Sequence, residues 1–199
     1  MNNLIEESGG KVTGWGMALG TETVTNADLA AKMDTSNEWI LERTGISERR
    51  IGGSTSGLAV RAGQQALEMA GVKATEIDLL ILATTTPDEQ VPATSAIVQD
   101  QLGLTCGAMD LNAACSGFVY SLVTGFGFLK LGFKRILIIG SETLSRITDW
   151  DDRSTAILFG DGAGAVVIEA EKGNGDLLGW NLGCEGSLRD ILYAEIGGT

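Results

Sequence analysis

The chain contains 199 residues, of which 44% are hydrophobic and 20% are charged, a composition typical of a folded globular domain. Its formal net charge of −12 disfavours nonspecific binding to nucleic acid. The longest uncharged stretch, which includes residues 115–129, contains three glycines and follows a predicted strand, so it indicates a buried core helix rather than a membrane span. The first ten residues contain neither the basic residue nor the apolar stretch of a secretory signal. Three cysteines without a CxxC pair, Cys106, Cys115 and Cys184, indicate neither a disulfide framework nor a zinc site. We therefore expect a cytoplasmic protein that holds no metal.

Strand-like and helix-like patterns alternate along the chain. In chain order they predict a disordered tail (residues 1–10), a strand (11–19), two helices (26–33 and 35–45), a strand (47–51), a helix (57–70), a strand (77–84), a helix (93–102), a strand (108–112), a helix (115–131) and three strands (135–140, 163–170 and 176–182). The strand at residues 77–84 is apolar on both faces, which is typical of a parallel sheet. No linker divides residues 11–199, so the pattern predicts one α/β domain with a mostly parallel sheet.

Capping residues define the first two predicted helices. Asn26 is placed to cap the first helix. Thr35 and Glu38 have the spacing of a capping box at the start of the second, which stops at Gly45.

Cys115 stands where a predicted strand leads directly into an uncharged helix. Its sulfur would lie at the first helical turn, where unpaired N–H groups and the positive end of the helix dipole converge. Such positions lower a thiol pKa from about 8.5 into the range of roughly 3.5–7.5 and favour a thiolate. A free cysteine is more often a small buried hydrophobic residue, but the small neighbours Ala113 and Ala114 leave room for a substrate. The sequence therefore predicts that Cys115 is a nucleophile.

The glycine-rich residues 160–164 invite comparison with a nucleotide-binding loop. They lack the GxGxxG spacing, and a strand rather than a helix is predicted after them. A flavodoxin-like nucleotide-binding module is therefore disfavoured, and residues 160–164 are expected to form a tight turn in the core.

Three segments together resemble β-ketoacyl-acyl-carrier-protein synthase III, the thiolase-fold enzyme that starts fatty-acid synthesis. They are DTSNEWILERTGI at residues 34–46, NAACSGF at residues 112–118 and FGDGAGA at residues 159–165. Chalcone synthases and hydroxymethylglutaryl-CoA synthases share that fold, but the first segment fits them less well. The resemblance runs from about Lys11 to the last residue. It implies the N-terminal half of a duplicated α-β-α-β-α layered fold over residues 11–199.

The resemblance also implies roles for individual residues. Trp39 would stack on the adenine of coenzyme A, Arg153 would cover its other side, and Thr35 and Arg43 would line the same nucleotide site. Trp39 and Arg43 are four residues apart on one helix face, and an indole beside a guanidinium suits an adenine with a phosphate. Residue type alone is equally compatible with a half-buried core tryptophan and an arginine that complements its helix C-terminus. Val91 matches a position that lines the acyl pocket of the neighbouring subunit in a homodimer.

The implied reaction begins with attack of the Cys115 thiolate on an acyl-CoA primer, which forms an acyl-enzyme. The Cys115 backbone N–H would help to hold the oxyanion. Malonyl-acyl carrier protein then loses CO2, and its carbanion attacks the acyl group. The resemblance implies no cofactor beyond the coenzyme A thioester substrate. Six basic residues are candidates for docking the acidic carrier protein: Arg43, Arg49, Arg50, Lys134, Arg135 and Arg153.

One departure from the family stands out. The family uses a histidine and an asparagine from the second half of the fold, and this chain contains no histidine. We expect a fragment whose reading frame continues past Thr199, or a chain that another polypeptide completes. A non-catalytic partner subunit of a split ketosynthase is the alternative. The helix at residues 115–131 has no polar face, so we expect the chain alone to aggregate and to lack condensing activity.

Overall fold

The computed structural model describes residues 8–173, 175 and 177–194. Within these ranges the chain forms seven strands and six α-helices. The strands are β1 Ser8–Leu19, β2 Glu22–Thr25, β3 Glu48–Ile51, β4 Leu79–Ala83, β5 Gly107–Leu111, β6 Arg135–Thr143 and β7 Asp161–Lys172. The helices are α1 Asn26–Ala30, α2 Asn37–Thr44, α3 Thr55–Ala70, α4 Thr94–Gln101, α5 Gly117–Lys130 and α6 Arg153–Ala156.

Five strands form the main sheet in the order β1-β7-β6-β4-β5, and β2 pairs with β3 in a separate ladder. Strand β4 is parallel to both β5 and β6, whereas β7 is antiparallel to both β6 and β1. The prediction of a mostly parallel sheet is therefore wrong, because only half of the strand pairs are parallel. The reason is that no long crossover helix separates β6 from β7. The chain turns back after β6 and pairs with the strand that it has just left.

Helices cover both faces of this sheet and confirm the α/β class. On one face, α3 and α4 pack against alternate residues of the central strands, such as Leu80 and Leu82. On the other face, α5 packs against the intervening residues, such as Ile81 and Ile138. Every residue of β4 is buried, as its continuous apolar pattern predicts. None of the helices in the described ranges is long and apolar enough to cross a membrane.

Glycines let two helices approach the sheet closely. A Cβ atom on Gly16 of β1 would lie 2.2 Å from the Ala62 carbonyl oxygen of α3, so only glycine permits this contact. In α5, a Cβ atom on Gly125 would lie 2.8 Å from Ile138 Cδ1. Helix α5, expected to be exposed along its apolar length, therefore buries one face against the sheet.

Several predicted boundaries are corrected by side-chain contacts. Thr25, not Asn26, caps α1 in a capping box with Asp28, and α1 ends at Ala30 rather than at residue 33. Ser36, not Thr35, caps α2 by accepting a hydrogen bond from the Trp39 N–H. Gly45 ends α2 in the left-handed conformation, with φ of 69°, as predicted.

Both ends of the chain also differ from the prediction. Strand β1 begins at Ser8, so residues 8–10 are not a disordered tail, and residues 1–7 lie outside the described ranges. Residues 177–182, the describable part of the last predicted strand, form no strand, and Asp176 lies outside the described residues. The predicted turn at residues 160–164 is instead mostly the beginning of β7.

Candidate active site

Cys115 lies in a sharp connection between β5 and α5. Strand β5 ends at Leu111, a single 3-10 turn spans Ala114–Ser116, and α5 begins at Gly117. The prediction that the α-helix starts at Cys115 is therefore wrong by two residues. Ala114 adopts φ of 45°, a left-handed conformation that costs a non-glycine residue about 1–2 kcal/mol. Strain of this kind is often found at functional sites, and it presents Cys115 as an exposed side chain.

A cleft of about 830 Å³ opens beside Cys115. The floor of the cleft is formed where β4 and β6 end, which is where parallel strands commonly place ligand sites. Apolar residues dominate its wall, and they include Ala83, Phe118, Leu144 and Phe159. Leu192 and Tyr193 line the same cleft from the last described segment of the chain. Sequence reasoning did not identify these wall residues, because apolar residues of these types are just as common in an ordinary hydrophobic core.

Glu142 is a further cleft residue that sequence reasoning missed. Its carboxylate accepts hydrogen bonds from the Thr85 N–H at 2.8 Å and from the Thr85 hydroxyl at 3.0 Å. The Thr86 hydroxyl donates to the same carboxylate. Glu142 therefore holds the turn that follows β4 against the end of β6. The three consecutive threonines at residues 84–86 were the available sequence signal, since a hydroxyl run after a buried strand needs an acceptor.

Trp39 lies between two guanidinium groups contributed by separate parts of the sequence. The Arg43 Cζ is 4.2 Å from the centre of the Trp39 ring, and the Arg153 Cζ is 4.5 Å from it, both within cation–π range. Arg153 also donates to the Asp34 carbonyl oxygen at 2.8 Å. We call Trp39, Arg43 and Arg153 the tryptophan–arginine cluster.

Thr35 lies just before Ser36, the residue that caps α2, and its hydroxyl oxygen lacks a hydrogen-bond partner among the described residues. This oxygen is buried. A buried hydroxyl without a partner is costly, and such groups are usually satisfied. The Thr35 hydroxyl therefore has hydrogen-bonding capacity that the described residues leave unused.

The tryptophan–arginine cluster and the cleft adjoin each other at α6. Asp152 and Thr155 line the cleft, and Arg153 stands between them in the sequence. The structure therefore brings together Cys115, in the lining of the cleft, and the cluster at the margin of the cleft, although the two are far apart in the sequence.

Val91 does not belong to this cleft within the described chain. It lies in the loop between β4 and α4, and 83% of its surface is exposed. Its predicted role in the pocket of a neighbouring subunit stays a prediction.

The six predicted docking residues do not form one surface. Arg49 is only 5% exposed, so it is unavailable for docking. Lys134 and Arg135 lie where β6 begins, at the opposite end of that strand from the cleft, and Arg135 is paired with Glu169 at 2.8 Å. Arg50 is partly buried in β3. Arg43 and Arg153 stand together, in the tryptophan–arginine cluster. The overall acidic composition of the chain could not predict that these basic residues lie apart.

The other two cysteines have different surroundings. Burial raises the pKa of the Cys106 thiol, which disfavours its thiolate. Cys184 is exposed but does not line the cleft. Among the residues that the structure describes, no group of three or more His, Cys, Asp or Glu side chains could hold a metal ion.

Comparison with known proteins identifies relatives of this chain. The family model for 3-oxoacyl-acyl-carrier-protein synthase III matches residues 109–186, which include Cys115 and the start of α5. The β-ketoacyl-acyl-carrier-protein synthase III of Erythrobacter litoralis is 51% identical over 194 residues, covering 94% of this chain and 60% of the relative. This chain is a homologue of β-ketoacyl-acyl-carrier-protein synthase III.

Further synthase III relatives support the same conclusion. The enzyme of Bradyrhizobium diazoefficiens is 58% identical over 166 residues, covering 81% of this chain and 51% of the relative. The crystal structure of the 3-oxoacyl-acyl-carrier-protein synthase III of Aquifex aeolicus superposes with a TM-score of 0.92 at 45% identity, covering 96% of this chain and 63% of that one. The resemblance and the thiolase-like fold class are therefore confirmed. The chain spans only about 60% of the length of such synthase III relatives.

Proposed function

We propose that this chain supplies the acyl-accepting site of a β-ketoacyl-acyl-carrier-protein synthase III. The observation that carries the proposal is the position of Cys115 in a cleft whose margin adjoins the tryptophan–arginine cluster. A thiol nucleophile beside an apolar cleft suits an acyl thioester. An indole flanked by guanidiniums suits a phosphorylated purine nucleotide. Coenzyme A thioesters combine these two chemistries in one molecule.

The first step is acyl transfer to Cys115. The Cys115 thiolate attacks the thioester carbonyl of the acyl-CoA primer, the carbon–sulfur bond to coenzyme A breaks, and the coenzyme A thiol leaves after taking up a proton. Adenine takes the place of the Arg153 guanidinium on the Trp39 ring, and Arg153 moves to cover the other face of the adenine, while Arg43 and Thr35 line the same nucleotide site. The apolar wall of the cleft suits the hydrocarbon part of the acyl group.

The second step is condensation in the whole protein. Malonyl-acyl carrier protein loses CO2, the carbanion formed attacks the acyl carbonyl, and Cys115 leaves as the thiolate. The product is β-ketoacyl-acyl carrier protein, as in the initiating reaction of fatty-acid synthesis. No step requires a metal or a redox cofactor. We further propose that the whole protein is a cytoplasmic homodimer, in which Val91 reaches the acyl pocket of the partner subunit.

Acylation of Cys115 tests this function directly. After incubation of the chain with acetyl-CoA, we expect mass mapping to find the acetyl group on the peptide that contains Cys115. Cys115→Ala should abolish the labelling, whereas Cys184→Ala, which removes an equally exposed thiol outside the cleft, should leave it unchanged. Labelling that persists in Cys115→Ala would overturn the proposal.

A further inference from the structure

Arg49 is a buried cation whose hydrogen-bond partners are neutral. Its guanidinium donates to Asn26 Oδ1 through both terminal nitrogens at 3.0 Å, to the Ile157 carbonyl at 3.0 Å and to the Val24 carbonyl at 3.3 Å. Burial lowers the pKa of Arg49. Removing a charged side chain from water costs several kcal/mol, so a buried arginine with neutral partners calls for a specific explanation.

One branch of this network reaches α6. Ile157 is the residue at which α6 ends, and Arg49 holds its carbonyl oxygen. Arg153 of the tryptophan–arginine cluster lies at the other end of this four-residue helix. Because the helix has a single turn, fixing one end of it fixes the origin of the Arg153 side chain.

A second branch reaches α2 through Asn26. The Asn26 Nδ2 donates to Asn37 Oδ1 at 3.0 Å and to the Ile46 carbonyl at 2.9 Å. Asn37 is the first residue of α2, and Ile46 follows the end of that helix. These bonds therefore hold both ends of the helix that carries Trp39 and Arg43.

We infer that Arg49 is a positioning residue for the nucleotide-binding site, setting α2 and α6 at the spacing that the tryptophan–arginine cluster needs. This inference rests on the proposed function, because it assumes that the cluster binds the nucleotide of coenzyme A. The buried contact of Ile40 with Ile157 and Leu29 joins the same elements, but apolar packing alone tolerates sliding. Directional hydrogen bonds from one planar group fix the spacing.

Lysine cannot replace Arg49 in this role. A guanidinium presents its donors in a rigid planar fork, whereas an ammonium is a single point of charge. Arg49 uses this fork to reach an amide oxygen and two carbonyls that belong to separate elements. Arg49→Lys should therefore keep the charge and lose the spacing between α2 and α6.

The test compares binding of two ligands by calorimetry. Coenzyme A contains the nucleotide, and pantetheine contains only the thiol arm. We expect Arg49→Lys to weaken coenzyme A binding by roughly tenfold or more and to leave pantetheine binding unchanged, since several hydrogen bonds worth about 0.5–1.5 kcal/mol each are lost. Arg135→Lys is the matched control. Arg135 is the first residue of β6, far along that strand from the cleft, so this change should alter neither affinity.

A second pair of variants covers the case in which Arg49→Lys fails to fold. Asn37 is exposed, so its replacement should leave the core intact. Asn37→Ala removes one of the two acceptors of the Asn26 amide and should weaken coenzyme A binding by roughly 2–10-fold. Asn37→Asp keeps an acceptor oxygen at that place and should restore most of the affinity. Pantetheine binding should stay constant in both variants.

The outcomes separate the inference from the proposed function. If the unaltered chain does not bind coenzyme A more tightly than pantetheine, both the proposed nucleotide site and the inference are wrong. If it does, but Arg49→Lys and Asn37→Ala keep the full preference for coenzyme A, only the inference is wrong. Equal weakening of both ligands would show a general structural role and would also overturn it.

Discussion

At the scale of single residues, the backbone at Cys115 matters as much as the thiol. The turn from β5 into α5 places Ala114 at φ of 45°, and its N–H donates to Asn112 Oδ1 at 3.3 Å. Branching at Cβ is strongly disfavoured in this conformation. The small residues before Cys115 therefore serve the backbone as well as leaving room in the cleft.

A valine scan of this turn tests the point. We expect Ala114→Val to lower the free energy of unfolding by roughly 1–3 kcal/mol, because a β-branched side chain opposes positive φ. Ala113→Val is the matched control, since Ala113 has φ of −143°, and it should cost less. Urea denaturation measures both values. Equal losses would contradict the strained geometry.

At the scale of elements, glycines decide how closely α5 packs on the sheet. Gly125 faces Ile138 and Ile168, both fully buried, whereas a Cβ atom on Gly127 would meet nothing within 4 Å. These two glycines of α5 therefore have opposite effects on stability. Gly125 permits close contact, and Gly127 only weakens the helix through its backbone freedom.

This contrast predicts stability changes of opposite sign. Gly127→Ala should raise the free energy of unfolding by about 0.5–1 kcal/mol through helix propensity. Gly125→Ala should lower it by about 1–3 kcal/mol, because its Cβ would stand 2.8 Å from Ile138 Cδ1 and 3.0 Å from Ile168 Cδ1. Thermal unfolding followed by circular dichroism measures both. A stabilising Gly125→Ala would show that α5 is free to shift.

At the scale of the whole molecule, an apolar stripe lies on the edge strand β1. Trp15 is 59% exposed, Met17 55% and Leu19 43%, while the alternate residues Gly16 and Ala18 are buried under α3. Trp15 pairs with Val166, which packs in the α5-side core, so the stripe lies on the α5 face of the sheet. Exposed apolar patches of this kind usually mark an interface. Exposed apolar surface is thus found on β1 and not only on α5.

We expect this stripe to drive self-association of the 199-residue chain. The double variant Trp15→Ser, Met17→Ser should shift the sedimentation profile toward monomer, because it removes apolar area worth about 25 cal/mol per Å² on burial. Leu41→Ser is the control, since Leu41 is 38% exposed and lies on α2, outside the main sheet. Unchanged association in the double variant would place the interface elsewhere.

Local pattern was sufficient for most elements and for the position of Cys115 between a strand and a helix. The apolar run at β4, the glycine that ends α2 and the strand-to-helix change at Cys115 all depend on neighbours in sequence. Such features follow from backbone propensity and from short-range periodicity. The tryptophan–arginine cluster was suggested by resemblance alone, because Arg153 is more than a hundred residues from Trp39.

Only the tertiary structure decided what depends on distant partners. It made β7 antiparallel, since strand direction follows from the path of the chain and not from its hydrophobic pattern. It buried Arg49, because the oxygens that the guanidinium needs come from Val24, Asn26 and Ile157, and no local pattern predicts their convergence. It also set Ala114 in a strained conformation that alanine does not favour by itself. Short-range patterns depend only on neighbouring residues. Burial, backbone strain and hydrogen-bond partners depend on which distant segments of the chain come into contact.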